Sequence, residues 1–306
     1  MGWTKKGLIF QPDSQYTWMQ SHCQLPVANI LDNGNCRVYF ASRTKEQISN
    51  IGYADIDLYD NFRIIRVSEN PILSPGPIGN FDQFGVYPAS IVNLKNKIYL
   101  YYIGWIRGYF SPLFYAAIGL AISEDRGNSF KKYSNVPIME RSKYDPCLVT
   151  SPNVFIDDNG QWKMTYVSGI KWETVGKELL SYYHIKYAES NDGINWQREG
   201  RVAIDFKDVN ERNIARSAVY KKNGKYEMYY SFVSGDLSYR IGYAKSLDCI
   251  NWVREDANAG IDVTENSFDS EMMCYPNIVI HNNKKYMFYN GNNYGKEGFG
   301  VAVSEI

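Results

Sequence analysis

Five segments of this chain repeat one pattern, and that repeat limits the possible folds more than any single residue does. Aligned on the strand after each lead-in loop, they read "QLPVANIL" at Pro26, "VYPASIV" at Pro88, "TSPNVFI" at Pro152, "IARSAVY" at Arg216 and "CYPNIVI" at Pro276, at steps of 62, 64, 64 and 60 residues. A tight turn follows each of them ("DNGN", "LKNK", "DDNGQ", "KKNGK", "HNNKK"), and then an aromatic strand: "RVYFAS", "IYLYYIG", "WKMTYVSG", "YEMYYSF", "KYMFYNG". Asn and Gly accept the positive φ that short hairpins require, so each pair reads as a β-hairpin. A third strand recurs as "IGYADI", "IGLAIS", "IKYAES", "IGYAKS" and "FGVAVS", and a short fourth as "PILSP", "PIMER", "VAIDF" and "GIDVT".

Five four-stranded antiparallel meanders predict an all-β, five-bladed β-propeller occupying residues 1–306 as one domain. The fifth copy ends at "VAVSEI" without its fourth strand, while the N-terminal "GLIFQP" resembles "PILSP". Residues 7–10 are therefore expected to supply the outer strand of the last blade and close the ring, which also hides a sheet edge. The turn "SEDRGNSF" fits an Asp-box pattern, with "SNDGINW" and "SLDCINW" as looser copies. Asp125, Asp192 and Asp248 are expected to accept local backbone N–H bonds there, far from the central axis.

Composition narrows the function. The 33 basic residues match the 33 acidic ones and no basic run stands out, which argues against a nucleic-acid partner. No signal-peptide core opens the chain and no apolar stretch approaches a membrane span, so a soluble, cytoplasmic protein without a membrane partner is expected. The five cysteines are scattered without CxxC spacing, against both a disulfide framework and a zinc site. Neither a metal nor a cofactor is expected.

In a propeller, lead-in loops and the loops between second and third strands meet at the central mouth. That places Asp82, Asp145, Glu211, Asp269 and Glu271 around one depression as candidate catalytic carboxylates. Glu211, Glu271 and Arg216 have no counterpart in every copy, which marks them as candidates that the fold itself does not require. The candidate substrate-binding residues are Arg216, Arg212, His22, Tyr87, Tyr275, Arg43, Arg107, Trp105, Trp172, Lys171 and Asn290. Arg216 stands where the other copies carry Pro, and its buried guanidinium is expected to pair with Glu211, Asp145, Glu271 or an anionic ligand.

The segments "YMFYNGNNYGKEGFGVAVSE" and "YEMYYSFVSGDLSYRIGYAKSLDCINW" resemble the arabinanase/β-xylosidase and β-fructosidase superfamily of glycoside hydrolases, and also mannoside phosphorylases of the same fold. The resemblance implies a carbohydrate ligand, either neutral or anionic, in the central pocket. It also implies acids before the Pro of the first and third inner strands and in a Glu-Gly-Pro element opening the fourth. Here those places read Leu25-Pro26, Ser151-Pro152 and Ile214-Ala215-Arg216, so the chain looks like a divergent branch. The expected activity is glycoside-hydrolase-like, with relocated carboxylates as acid and base on a polar or acidic glycan. A sugar-binding propeller that does not cleave, or a phosphorylase using inorganic phosphate, is the alternative.

Overall fold

A computed structural model describes residues 2–306. Strands dominate it, interrupted only by a 3-10 turn at Asp256–Asn258 and a helical turn at Asn292–Gly295. The first meander runs Ser21–Ile30, Cys36–Arg43, Ser49–Asp57, Arg63–Val67, and the second Val86–Asn93, Ile98–Arg107, Phe114–Ser123, Lys131–Lys132. The third is Leu148–Ile156, Trp162–Val175, Glu178–Ser190, edged by Trp196–Gln197 and Val202–Ile204. The fourth is Glu211–Lys222, Lys225–Ser234, Arg240–Ser246, Trp252–Arg254. The last combines Cys274–His281, Lys284–Asn290 and Phe299–Glu305 with Thr4–Phe10 from the N-terminus, which pairs antiparallel with Phe299–Glu305. The third and fourth meanders merge into one nine-stranded sheet through a single parallel pairing, Tyr183 with Asn213.

The hairpins follow from their turn residues. Asn223 and Gly224 (φ 49° and 76°) and Asn282 and Asn283 (φ 46° and 62°) put two consecutive positive φ angles between paired strands, which matches the right-handed strand twist. At the Asp-box turns, Asp125 accepts N–H bonds from Asn128 and Ser129, Asp192 from Ile194 and Asn195, and Asp248 from Ile250 and Asn251, at 2.8–3.0 Å. The backbone N–H of Asn195 is the largest influence holding the Asp192 carboxyl well below the usual range. These aspartates are turn architecture, as their sequence pattern implies.

The inner strands pack on one another in order, first on second through to fifth on first. Side chains stitch neighbours together: the N–H of Ala28 donates to Asn277 Oδ1 (2.8 Å), that of Val154 to Ser90 Oγ (3.0 Å) and that of Val219 to Asn153 Oδ1 (3.1 Å). Near its start each inner strand carries a bulge. Leu25, Ser151, Arg216 and Tyr275 sit at its apex with φ of 51°, 47°, 49° and 59°, a region costly for side-chain-bearing residues. This corrects the sequence alignment. Arg216 matches the residues that precede the prolines, and Ser217 takes the proline's place. In the second strand the slip falls between Pro88 and Ser90 instead, and no residue of that strand has a positive φ.

Between the last and first meanders, Phe10 packs 4.9 Å from Phe40 and 5.3 Å from Phe299, ring centre to ring centre. Lys5 on the same N-terminal strand reaches Asp269 at 2.7 Å. Removing residues 1–12 should therefore expose the Phe299–Glu305 edge and lower the urea midpoint markedly, and Phe10→Ala alone should cost about 3–5 kcal/mol. Urea melts of the two variants check this; a truncated chain that unfolds at the full-length midpoint contradicts it.

Candidate functional site

The starts of all five inner strands surround a cavity of about 460 Å³. Leu25, Ser151 and Tyr275 project into it from bulge apices, joined by Tyr87 and Ala215. The bulge turns these side chains toward the axis, where a regular strand would point them between sheets. Six of the expected sugar-binding residues line the cavity: Arg43, Tyr87, Trp105, Trp172, Arg212 and Tyr275. None of the five expected carboxylates does, and among the described residues no Asp or Glu lines it.

The carboxylates are occupied elsewhere. Asp82, Asp145 and Asp269 are buried, and each accepts a tyrosine hydroxyl from the second strand of its own meander: Tyr102 at 3.2 Å, Tyr166 at 3.1 Å and Tyr289 at 3.0 Å. Each is also paired with a cation from an outer strand or the segment beside it: Lys132 (2.5 Å), Arg198 (2.9 Å) and Lys5 (2.7 Å) respectively. Arg254 grips Glu211 through two bonds of 2.7 and 2.8 Å, and the Lys207 N–H donates a third. In that fourth meander Tyr230 bonds Asp256, which shares Arg254. Glu271 is exposed, its loop held by main-chain bonds to Asn292 and Arg240. The expectation of five carboxylates around one depression is thus corrected: a carboxylate removed from water needs a cation, and the outer strands provide it.

The cations near the cavity are in the opposite condition. Arg216, expected in the depression, lies outside the cavity lining: it is almost completely buried, and its guanidinium donates to the carbonyls of Pro88 and Pro26, both at 3.1 Å, spanning from the fourth inner strand to the second and first. Among the described residues it pairs with no carboxylate, contrary to the expected Glu211, Asp145 or Glu271 partner. Burial lowers its pKa to about 9, which leaves it charged at neutral pH. Arg43 donates to Gln24 Oε1 at 3.0 and 3.2 Å, and Arg212 to the Gly235 carbonyl at 3.2 Å. His22 lies outside the cavity lining; its pKa drops to about 4 through burial and the nearby positive charges of Arg43 and Lys296.

Three further expected residues take other roles. Asn290 is buried, accepting the Leu25 N–H and donating to the carbonyls of Cys23 and Gly298, all at 2.8 Å, so it fixes the first bulge. Arg107 lies over the Phe84 ring at 5.0 Å, and Lys171 pairs with Glu173 at 2.8 Å. Sequence reasoning missed Gln24, Phe114, Tyr183, Tyr239 and Tyr294 in the cavity wall. Tyr183 and Tyr239 bond to each other through their hydroxyls. Of the missed residues only Tyr183 lies on the third meander's unusually long hairpin, Trp162–Val175 with Glu178–Ser190.

The glycosyl hydrolases family 32 N-terminal domain matches residues 69–209. Over 305 residues, and the full length of both chains, the sequence is 36% identical to Uncharacterized protein MT1551 of Mycobacterium tuberculosis. It is 25% identical over 177 residues to Beta-1,2-mannobiose phosphorylase of Thermoanaerobacter sp., covering 55% of this chain and 54% of that one. A solved structure described as a glycoside hydrolase superposes with a TM-score of 0.78 at 18% identity, over 99% of this chain and 91% of that chain. The chain therefore belongs to one family with the mycobacterial protein, and its fold is that of the solved glycoside hydrolase.

Two outcomes test the roles assigned here. Asp145→Asn breaks a buried ion pair and should cost about 3–5 kcal/mol of stability, whereas Glu271→Gln, on the surface, should stay within about 0.5 kcal/mol; chemical denaturation reads both. By NMR, His22 should titrate near 4 against an ordinary 6.5. Between those values the unfolded chain binds the proton that the folded one refuses, so stability falls as pH drops from 6.5 to 4. His22→Gln should remove that part of the pH dependence.

Proposed function

We propose that the chain is a five-bladed propeller, its ring closed by the N-terminal strand, whose central pocket binds an anionic sugar without the carboxylate-pair cleavage of glycoside hydrolases. One observation carries this reading: Arg43 and Arg212 line an aromatic-walled cavity with no carboxylate partner among the described residues. Guanidinium forks suit carboxylates and phosphates, and Trp105, Trp172 and Tyr275 offer faces for a sugar ring. A uronic acid or a sugar phosphate has both features.

Glycoside cleavage places two carboxyl groups across the bond, about 5–5.5 Å apart for retention or about 6.5–9.5 Å for inversion. The cavity lining offers neither, and Leu25, Ser151 and Ala215 line it where the resemblance implies acids. A second reading has one specific support, the partial likeness to a mannobiose phosphorylase. In it, inorganic phosphate takes the arginine site and acts as nucleophile. Five free cysteines suit a reducing compartment, and we assign the protein to the cytoplasm.

Calorimetric titration with D-glucuronate, D-galacturonate and hexose 1-phosphates, against glucose and galactose, tests the binding. At least one anion should bind clearly tighter than its neutral parent. Arg212→Met should weaken that anion about 10- to 100-fold, the loss of one charge-assisted contact, and affect neutral sugars little. Reducing-sugar assays over a glycan panel should show no turnover without phosphate. Phosphate-dependent release of a sugar phosphate favours the second reading, and equal loss for charged and neutral sugars overturns the anionic one.

A further inference from the structure

The third meander departs from the repeat in one respect that the fold does not require. Its second and third strands, of 14 and 13 residues, continue pairing up to Val175 and Glu178 and close through Gly176 (φ 62°) and Lys177. The corresponding strands of the other meanders run 7 to 10 residues. A glycine-led two-residue turn matches strand twist, so the extension is a stiff projection. An edge-to-face contact of Trp172 with Phe114 at 5.5 Å braces it against the neighbouring meander.

On one side this projection walls the central cavity; on the other it forms a second concavity of about 450 Å³ with the loop that precedes Phe114. Pro112, Leu179 and Leu180 line both spaces, so the two meet along one apolar ridge. The outer space adds Phe110, 54% exposed, together with Lys177 and Glu178, whose side chains have no bonding partner among the described residues. An aromatic face beside an unengaged donor and an unengaged acceptor suits a sugar ring, which has an apolar face and a hydroxyl edge.

We propose that this outer groove holds the second unit of the pocket's ligand, making that ligand an acidic oligosaccharide or glycoconjugate. The assignment rests on reading the cavity as a sugar site. The acidic unit sits at the arginines, the linkage crosses the Pro112, Leu179 and Leu180 ridge, and the next ring lies against Phe110 within reach of Lys177 and Glu178.

The test is calorimetry with the preferred acidic monosaccharide and with disaccharides carrying the same acid, on the wild type, Phe110→Ala and the Lys177→Ala/Glu178→Ala double variant. All three substituted residues lie outside the central cavity lining, so monosaccharide affinity serves as an internal control. At least one disaccharide should bind about tenfold or more tighter than the monosaccharide, and both variants should erase most of that preference while monosaccharide affinity stays within about twofold. Disaccharides that bind no tighter than the monosaccharide overturn the groove and leave the pocket reading standing, as does a preference that both variants retain in full. If no acidic sugar of either length binds the wild type, the pocket reading falls and the groove falls with it.

Discussion

A carboxylate taken out of water must be compensated, and that requirement organises the molecule. In three meanders a buried aspartate on the lead-in loop joins a tyrosine of the second strand to a lysine or arginine near the outer edge. The fourth achieves the same connection with Tyr230, Asp256, Arg254 and Glu211. In the first, Phe40 occupies the tyrosine position and stacks on Trp18 at 5.8 Å, so apolar packing replaces the polar link. Each strut ties loop, middle strand and outer edge into one body, and breaking one leaves an uncompensated charge indoors.

The site depends on the same accounting in reverse. Once the struts have taken the buried aspartates and Glu211, Arg43, Arg212 and Arg216 have, among the described residues, only carbonyl and amide oxygens as hydrogen-bond acceptors. Strained bulges then aim side chains inward at four of the five strand starts. Residues held at positive φ persist only where surrounding structure over-determines them. Here the hydrogen-bonded second strand of each meander, the packed neighbouring inner strands and the stitching side chains do so.

Scaffold and chemistry separate clearly in this chain. The propeller architecture superposes on a glycoside hydrolase, yet the cavity wall is aromatic, cationic and free of carboxylates. Fold supplies a concave site at a fixed place, and the side chains at that place decide what happens there. Leu25, Ser151 and Ala215 change the chemistry available without altering the strands that carry them.

The strand repeat, the Asn- and Gly-bearing turns, the Asp-box turns and the pairing of an N-terminal strand with the last one were legible in the sequence, because each depends on local pattern. Arg43, Tyr87, Trp105, Trp172, Arg212 and Tyr275 were also legible as cavity residues, since loop position within a repeat determines which end they occupy. The direction of the aspartates was not. An Asp on a lead-in loop reads the same whether it faces the axis or an outer-strand cation, and Lys132, Arg198 and Lys5 lie 50, 53 and 264 residues from their partners. Nor did sequence reveal that Arg216 heads a bulge, because the shift of one residue is set by pairing register. Local chemistry specified the strands and turns; only packing between distant segments decided which charges were consumed and which were left at the axis.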